Sequence, residues 1–276
     1  MIEPPSRVLR RHGLAARKQW GQHFLRDPSV HAAIVHAAAV APGDRVVEIG
    51  AGLGTLTAHL LQTGAEVWAI ERDRDLCEVL RAELGEHPGF SLHEADAVGF
   101  DYGSAATDRP PTIVGNLPYH LTGPLLFRLL SFHAVTGPWV VMIQKEVADR
   151  LCALPGNKTY GGITVGLSRV RRISGVVSVP PGAFLPPPRV DSAVIRLDPL
   201  PQPRGEVGDE AGFLALVRSA FQRRRKTLLN ALGGLGPRDR ILAWCEQADV
   251  DPKLRPERLT PENFAALQRA READRA

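Results

Sequence analysis

The feature that most constrains the fold is a mostly apolar run that ends in a glycine-rich turn and is followed at once by a helical pattern. The run is Val46–Ile49, and in the turn that follows every second residue from Gly50 to Gly54 is glycine. The apolar residues of Thr55–Leu61 are spaced as at the start of an amphipathic helix. Glycine permits positive φ and lets a ligand lie against bare backbone. The sequence therefore predicts a strand–turn–helix unit in which Gly50 and Gly52 contact a nucleotide-like cofactor.

Acidic side chains stand where the next two predicted strands end. Glu71 follows Glu66–Ile70, where a carboxylate can accept hydrogen bonds from ribose hydroxyls. Asp96 follows Phe90–Ala95 and could accept from an adenine amino group or, alternatively, cap a helix. NAD and S-adenosylmethionine both present an adenosine at such a site, so these residues alone do not separate the two cofactors.

Strands and helices alternate from residue 45 to about 197, which predicts a mostly parallel, Rossmann-like α/β sheet with helices on both faces. A helix is expected from Pro28 to about Val40, with Asp27 as its N-cap. Residues 179–190 are too rich in proline for a helix or a central strand. They are predicted to form a stiff loop in which Phe184 is poorly placed for a core.

A further apolar run, residues 112–115, ends in the tetrapeptide Asn116, Leu117, Pro118 and Tyr119. An Asn oxygen that accepts from an exocyclic amine localises the lone pair on its nitrogen, and proline rigidifies the turn. A tyrosine ring can stack on the base and face a cationic methyl group. An ordinary strand-end turn has the same pattern, but together with the preceding motifs it favours methyl transfer from S-adenosylmethionine over hydride transfer.

Composition excludes several classes of protein. The 276 residues contain no run of 18 apolar residues and no apolar signal segment, so neither a membrane-spanning helix nor secretion is expected. The three cysteines, Cys77, Cys152 and Cys245, are far apart in the sequence. They are interpreted as reduced thiols of a cytoplasmic protein and not as a metal site or a disulfide framework.

Charge is unevenly distributed, and this predicts three parts of the chain. Residues 1–26 form a basic arm of net charge +5, residues 27–200 a catalytic domain of −4, and residues 201–276 a helical domain of +3. Helical periodicity is expected over residues 213–232. The positive charge of the two flanking parts would attract the phosphates of a nucleic acid. Nucleic-acid binding is assigned to the cluster Arg223, Arg224, Arg225 and Lys226.

These motifs closely resemble those of the ribosomal RNA adenine dimethyltransferases, specifically the branch that acts on small-subunit rRNA. The resemblance covers nearly the whole chain and includes residues 21–25, 144–147, 180–192 and 221–228. It implies a Rossmann-like methyltransferase domain with a small all-helical C-terminal domain. The reaction implied is transfer of two methyl groups to N6 of each of two adjacent adenosines in a hairpin loop near the rRNA 3′ end.

The resemblance also implies roles for individual residues. Tyr119 and Phe184 would hold the target base, and Asn116 would serve both the cofactor and the target amine. The family pattern usually has Asn where this chain has His23. The S-adenosylmethionine contacts implied are His23, Leu25, Gly50, Glu71, Asp96 and Asn116.

Three other functions compete with this interpretation. A large-subunit rRNA adenine methyltransferase of the macrolide-resistance type would share the same site. A non-catalytic RNA-binding assembly factor could retain the fold as a scaffold, and a DNA adenine methyltransferase is a further alternative. The expected partner is small-subunit rRNA or a 30S assembly intermediate, bound by a cytoplasmic monomer without metal or membrane contact.

Overall fold

The computed structural model describes residues 3–17 and 21–275, so positions 1–2 and 18–20 of the basic arm lie outside it. The chain divides into two packed units. The first contains the residues up to 148 together with 173–199, and the second contains 149–172 together with the residues from 200 onward.

The first unit is built on a sheet whose strands were largely foreseen from their apolar runs. A seven-stranded sheet among the described residues has the order β4-β3-β2-β5-β6-β9-β7, and β1 and β8 form a separate pair. The strands are β1 (Phe24–Leu25), β2 (Arg45–Ile49), β3 (Glu66–Glu71), β4 (Phe90–Glu94), β5 (Thr112–Asn116), β6 (Trp139–Gln144), β7 (Arg171–Val179), β8 (Phe184–Leu185) and β9 (Ser192–Pro199).

Most neighbouring strands of the large sheet run parallel. β2 pairs with β3 and β5, β3 with β4, and β5 with β6, all in parallel register, whereas β9 runs antiparallel beside β6. Five of the six residues of β6 are buried, and only Gln144 is partly exposed, as expected for a strand covered on both faces. The predicted Rossmann-like α/β class is confirmed, and the carboxyl ends of β2, β3 and β5 meet at one edge of the sheet.

Helices connect these strands and form the second unit. The predicted start of the helix after the arm is confirmed, because Asp27 accepts a hydrogen bond from the Ser29 N–H at 2.9 Å and Pro28 is the first helical residue. The helices are α1 (Pro5–Arg11), α2 (Pro28–Ala38), α3 (Thr55–Leu61), α4 (Arg74–Leu84), α5 (Thr122–Leu130), α6 (Lys145–Leu151), α7 (Gly162–Val170), α8 (Glu210–Gln222), α9 (Leu228–Ala231), α10 (Arg238–Gln247) and α11 (Pro261–Ala273).

The prediction that Phe184 is poorly placed for a core was wrong. β1 pairs antiparallel with β8, with Leu25 opposite Phe184, and the Arg26 N–H donates to the Ala183 carbonyl at 2.8 Å. This ladder draws the proline-rich segment inward. Phe184 is 1% exposed and packs in the cluster that contains Leu25 and Ile34, where an aromatic ring buries a large apolar area.

The second unit has its own apolar core. Phe213 and Leu216 of α8 pack with Phe264 of α11, and with Tyr160 and Val165 from the segment before residue 172. Residues 149–172 thus pack with the residues after 200, whereas the sequence placed them in the catalytic domain. The reason is that their apolar side chains belong to this second core. The boundaries of the arm at residue 26 and of the catalytic domain at residue 200 remain predictions.

The helix expected over residues 213–232 is interrupted. α8 ends at Gln222 and α9 begins at Leu228, and the Lys226 N–H closes a turn on the Arg223 carbonyl at 2.8 Å. On a continuous helix Arg223 and Lys226 would lie three residues apart on one face, a spacing at which like charges repel.

Within residues 3–17 and 21–275, no helix has the length and apolarity needed to cross a membrane. The same residues contain no group of three or more His, Cys, Asp or Glu side chains arranged to hold a metal ion.

Candidate functional site

A cavity of about 370 Å³ opens in the first unit where β2, β3 and β5 end. This volume is within the usual range for small-molecule sites. Asp96 and Phe184 are not among the described residues that line it. The predicted site residues that do line it are His23, Leu25, Gly50, Gly52, Glu71, Asn116, Leu117, Pro118 and Tyr119.

The glycine turn leaves one wall of the cavity without side chains. Gly50 and Gly52 have φ of 72° and 61°, values that favour glycine. A Cβ added at Gly52 would lie 3.4 Å from the Phe24 ring. The Gly50 N–H donates to the Ile70 carbonyl at 2.9 Å, which fixes the turn against the end of β3. The bare backbone therefore gives a flat ligand close access.

Glu71 is held in place by backbone donors. Its Oε1 atom accepts from the N–H groups of Arg72 and Asp73 at 2.8 and 2.9 Å, and its Oε2 atom accepts from the Gly52 N–H at 3.0 Å. Burial raises the pKa of Glu71, and the three backbone hydrogen bonds oppose that shift. The carboxylate is thus oriented before any ligand arrives, which suits the predicted ribose contact.

Asp96 stands apart from the cavity lining. One of its carboxylate oxygens accepts from the Val98 N–H at 2.9 Å, and the other is 3.1 Å from an Arg72 nitrogen. Residues 97–99 form a turn, so Asp96 is not the N-cap of a helix there. Its adenine contact remains a prediction. Arg72, which does line the cavity, was not identified from the sequence because it occupies an unremarkable position after a strand.

Asn116 presents its side-chain oxygen without a partner among the described residues. Its Nδ2 atom donates to the His23 carbonyl at 3.0 Å, and this bond fixes which end of the amide is the donor. The Oδ1 atom makes no hydrogen bond within the described part of the chain. The next residue, Leu117, is buried and donates its N–H to the Met142 carbonyl at 3.0 Å. The strand end therefore holds an acceptor of fixed orientation at the cavity.

The Tyr119 ring is positioned from both sides. Its hydroxyl lies 2.7 Å from the Ser192 hydroxyl, and its ring is nearly parallel to the His23 ring, with centroids 5.9 Å apart. The His23 Nδ1 atom is 2.8 Å from the Pro186 carbonyl oxygen. Because a carbonyl only accepts, Nδ1 carries a hydrogen and donates to Pro186. Two flat rings thus border the cavity beside Asn116.

The basic arm is attached to this site by polar contacts that the sequence did not reveal. The Gln22 amide donates to Asp73 at 2.7 Å and accepts from the Arg17 N–H at 2.8 Å. Arg17 also pairs with Asp73, at 3.3 Å, and with Asp75. Asp73 is the N-cap of α4 and lines the cavity. One carboxylate therefore links the arm, the helix and the site.

Glu48 is a further cavity residue that the sequence did not assign. It is 2% exposed. Burial raises its pKa to about 8, opposed by the Thr57 hydroxyl and reinforced by the charge of Glu71. The Thr57 hydroxyl faces the Glu48 carboxyl group without a hydrogen bond of good geometry, and neither Glu48 Oε2 nor Thr57 Oγ1 has another partner among the described residues. From the sequence, Glu48 looked like one polar residue within an apolar strand.

The cationic cluster lies in the second unit. Arg223, Arg224, Arg225 and Lys226 are all exposed. Arg224 donates to the carbonyls of Lys158 and Tyr160 at 2.6 and 3.0 Å, so its guanidinium is partly engaged in structure. The other three side chains make no ion pair with the described residues and offer their charges to solvent.

The chain matches a known protein family over most of its length. The family model described as ribosomal RNA adenine dimethylase matches residues 13–270. A ribosomal RNA small subunit methyltransferase A from Myxococcus xanthus (strain DK1622) is 44% identical over 272 residues, which cover 98% of this chain and 95% of that protein. A protein of the same name from Anaeromyxobacter sp. (strain K) is 47% identical, with 96% of each chain covered.

Two solved structures are also similar to this chain. A dimethyladenosine transferase from Plasmodium falciparum has a TM-score of 0.73 and 27% identity, covering 89% of this chain and 96% of that one. The 23S rRNA methyltransferase ErmE has a TM-score of 0.67 and 26% identity, covering 90% of this chain and 98% of that one. By the family match and by identity over nearly its full length, the chain belongs to the ribosomal RNA adenine dimethylase family.

Proposed function

We propose that this chain transfers methyl groups from S-adenosylmethionine to N6 of adenosines in small-subunit rRNA, giving N6,N6-dimethyladenosine. The observation that carries the proposal is the Asn116 amide. Its nitrogen is engaged by the His23 carbonyl, and its oxygen is left at the cavity as an acceptor. By resemblance to the family, the targets are two adjacent adenosines in a hairpin loop near the rRNA 3′ end.

The residues present fit S-adenosylmethionine. The glycine turn accepts a flat nucleoside against backbone, Glu71 presents an oriented carboxylate for the ribose, and Glu48 has a buried oxygen that lacks a partner among the described residues. S-adenosylmethionine supplies a methyl group on a positively charged sulfur, so the leaving group needs no activation by the protein. The work left to the chain is to bind, orient and exclude water.

Asn116 and Tyr119 act on the target base. An adenine amine whose N–H groups are held by Asn116 Oδ1 and a nearby carbonyl has its lone pair localised on nitrogen, which makes it a better nucleophile. The Tyr119 ring, fixed through Ser192, offers a stacking surface for a base that has left its helix. Phe184, the second aromatic residue implied by the family resemblance, is buried, so Tyr119 is the member of the pair assigned to the base here.

The small-subunit assignment is favoured over the large-subunit alternative. Relatives named for the small subunit are 44–47% identical to this chain, whereas the 23S enzyme ErmE is 26% identical. We assign phosphate contacts to Arg223, Arg225 and Lys226, whose charges are exposed. The proposed partner is a 30S assembly intermediate in the cytoplasm, which the chain would meet as a monomer.

The test is methyl transfer from labelled S-adenosylmethionine to unmethylated small ribosomal subunits, with the product nucleosides separated by mass. Dimethyladenosine at two adjacent positions is the expected product. Label on large-subunit RNA alone would support the resistance-type enzyme instead. Absence of label together with retained RNA binding would support a non-catalytic assembly factor, and label on duplex DNA would support a DNA methyltransferase.

A further inference from the structure

The Tyr119 ring, which is assigned to the target base, is covered on one face by a side chain of the same chain. The His23 imidazole lies nearly parallel to it, with an angle of 22° between the ring planes and 5.9 Å between the centroids. This distance is within the range at which aromatic rings attract one another. Among the described residues, His23 is the only one whose ring is paired with that of Tyr119.

Both rings are fixed by hydrogen bonds, but not equally firmly. The Tyr119 hydroxyl lies 2.7 Å from the hydroxyl of Ser192, which is fully buried. The His23 Nδ1 atom donates to the Pro186 carbonyl at 2.8 Å, and the His23 side chain is only partly buried. The imidazole is therefore the ring of the pair that can rotate away.

The main chain of His23 is held separately from its side chain. Its carbonyl accepts from the Asn116 amide at 3.0 Å, and the two residues that follow it pair with Phe184 and Leu185. Rotation of the imidazole about its side-chain bonds breaks none of these contacts. The face of Tyr119 can thus be uncovered while Asn116 keeps its orientation.

A target adenine needs the place that the imidazole occupies. Its amine must reach the Asn116 Oδ1 atom while its ring stacks on Tyr119. His23 connects these same two contacts, because its carbonyl holds the Asn116 amide and its ring covers Tyr119. A base inserted between the two rings would need about 7 Å, which is two contact distances of about 3.5 Å. The centroids are 5.9 Å apart, so the imidazole has to leave.

We propose that His23 is a place-holder for the target base, whose imidazole covers Tyr119 until an adenine displaces it. Displacement gives up one ring contact and the hydrogen bond to Pro186. An adenine offsets this loss with a larger stacked ring and a hydrogen bond to Asn116. A uracil has a smaller ring and no amine, so it leaves the imidazole in place. The inference rests on the proposed function, because it requires an adenine at Tyr119.

The experiment is equilibrium binding of a small-subunit rRNA hairpin to the full chain, saturated with S-adenosylhomocysteine so that no methyl group is transferred. His23→Asn introduces the family's usual residue, which has no ring but can still donate to Pro186. His23→Phe keeps a ring and cannot donate. His23→Asn should bind the hairpin about threefold to tenfold more tightly, as expected for loss of one competing ring pair. His23→Phe should bind like the wild type.

Two controls connect this gain to the target base and to Tyr119. A hairpin with abasic residues at the two target positions has no base that could displace the imidazole, so wild type and His23→Asn should bind it equally. In a Tyr119→Ala background the ring that is contested is absent. There His23→Asn should give no gain, which makes the two substitutions non-additive.

The outcomes separate the place-holder from the proposed function. Equal binding of the intact hairpin by wild type and His23→Asn would overturn the place-holder role, and so would weaker binding by the variant, which would make the imidazole a contact for the RNA. A gain that persists with the abasic hairpin would overturn it as well. Hairpin binding by a wild-type chain that transfers no methyl group to small subunits would overturn the proposed function, and the same titrations would still decide the role of His23.

Discussion

Asn116 is the residue whose replacement should affect the reaction most. Asn116→Ala removes the acceptor for the target amine, and loss of that orientation should lower methyl transfer by about a hundredfold or more. The side chain is only half-buried, so the midpoint of thermal unfolding should change little. Rates measured with saturating cofactor and subunits check this prediction. Near-normal turnover in the variant would remove Asn116 from the proposed mechanism.

Glu48 should make the ligand-free protein less stable as the pH rises. Its pKa is about 8 in the folded chain against an ordinary value of 4.5, so the folded state holds the proton more tightly than the unfolded chain does. The resulting stabilisation is complete below about pH 4.5 and is lost as the pH rises through 8. The slope is at most about 1.4 kcal/mol per pH unit.

Urea unfolding of the wild-type chain and Glu48→Gln over this pH range measures the effect. The free energy of unfolding of the wild type, minus that of the variant, should fall as the pH rises. Taking the difference cancels the opposite trend from His31, whose lowered pKa of about 4 destabilises the fold as the pH falls below 6.5. A difference that does not vary with pH would mean that Glu48 is ionised in the free protein.

At the scale of elements, α4 and the basic arm should depend on the same carboxylate. Asp73→Ala removes the N-cap of α4 and the contacts to Gln22 and Arg17. Loss of the cap should cost about 1 kcal/mol, and the arm should become more susceptible to trypsin at Arg17. Urea unfolding and limited proteolysis measure the two effects separately.

Asp27→Ala is the matched control for this prediction. Asp27 is also an N-cap aspartate, of α2, but its side chain bonds only within its own turn, to Ser29, among the described residues. The substitution Asp27→Ala should lower the free energy of unfolding by a similar amount, while the rate of trypsin cleavage at Arg17 stays unchanged. If trypsin cleaves at Arg17 equally slowly in both variants, Asp73 does not fix the position of the arm.

Local patterns predicted the elements that depend on nearby residues. The cap at Asp27, the glycine turn and the strand ends that deliver Glu71 and Asn116 all follow from apolar runs and adjacent polar residues. The pairing of Leu25 with Phe184 joins segments about 160 residues apart, and no local signal specifies it. Glu48 was missed for a related reason, since its burial depends on residues from other segments, such as Thr57 of α3, that pack around β2.

At the scale of the whole molecule, the exposed cations of the second unit should set the salt dependence of RNA binding. Changing Arg223, Arg225 and Lys226 together to Gln removes charges that have no ion-pair partner among the described residues. The slope of log affinity against log salt should fall by about 0.7 to 0.9 for each phosphate that the variant no longer neutralises. Binding of a small-subunit rRNA fragment at several salt concentrations measures it.

An equal change of charge elsewhere in the same unit provides the control. Arg238, Lys253 and Arg255 are also exposed, and replacing these three with Gln should reduce the slope less. Arg224→Gln should instead lower the stability of the fold, because Arg224 donates to two carbonyls. Equal slopes for the two triple variants would mean that net charge, and not the cluster itself, attracts the RNA.

The hydrogen bond that orients Asn116 has a consequence for evolution. It ends on the main-chain carbonyl of residue 23 and makes no use of that residue's side chain. Any amino acid that keeps the peptide of residue 23 in place supplies the same acceptor. A different side chain at position 23 that leaves this peptide in place would therefore leave the orientation of Asn116 intact, while changing the cavity wall that the His23 ring now forms beside Tyr119.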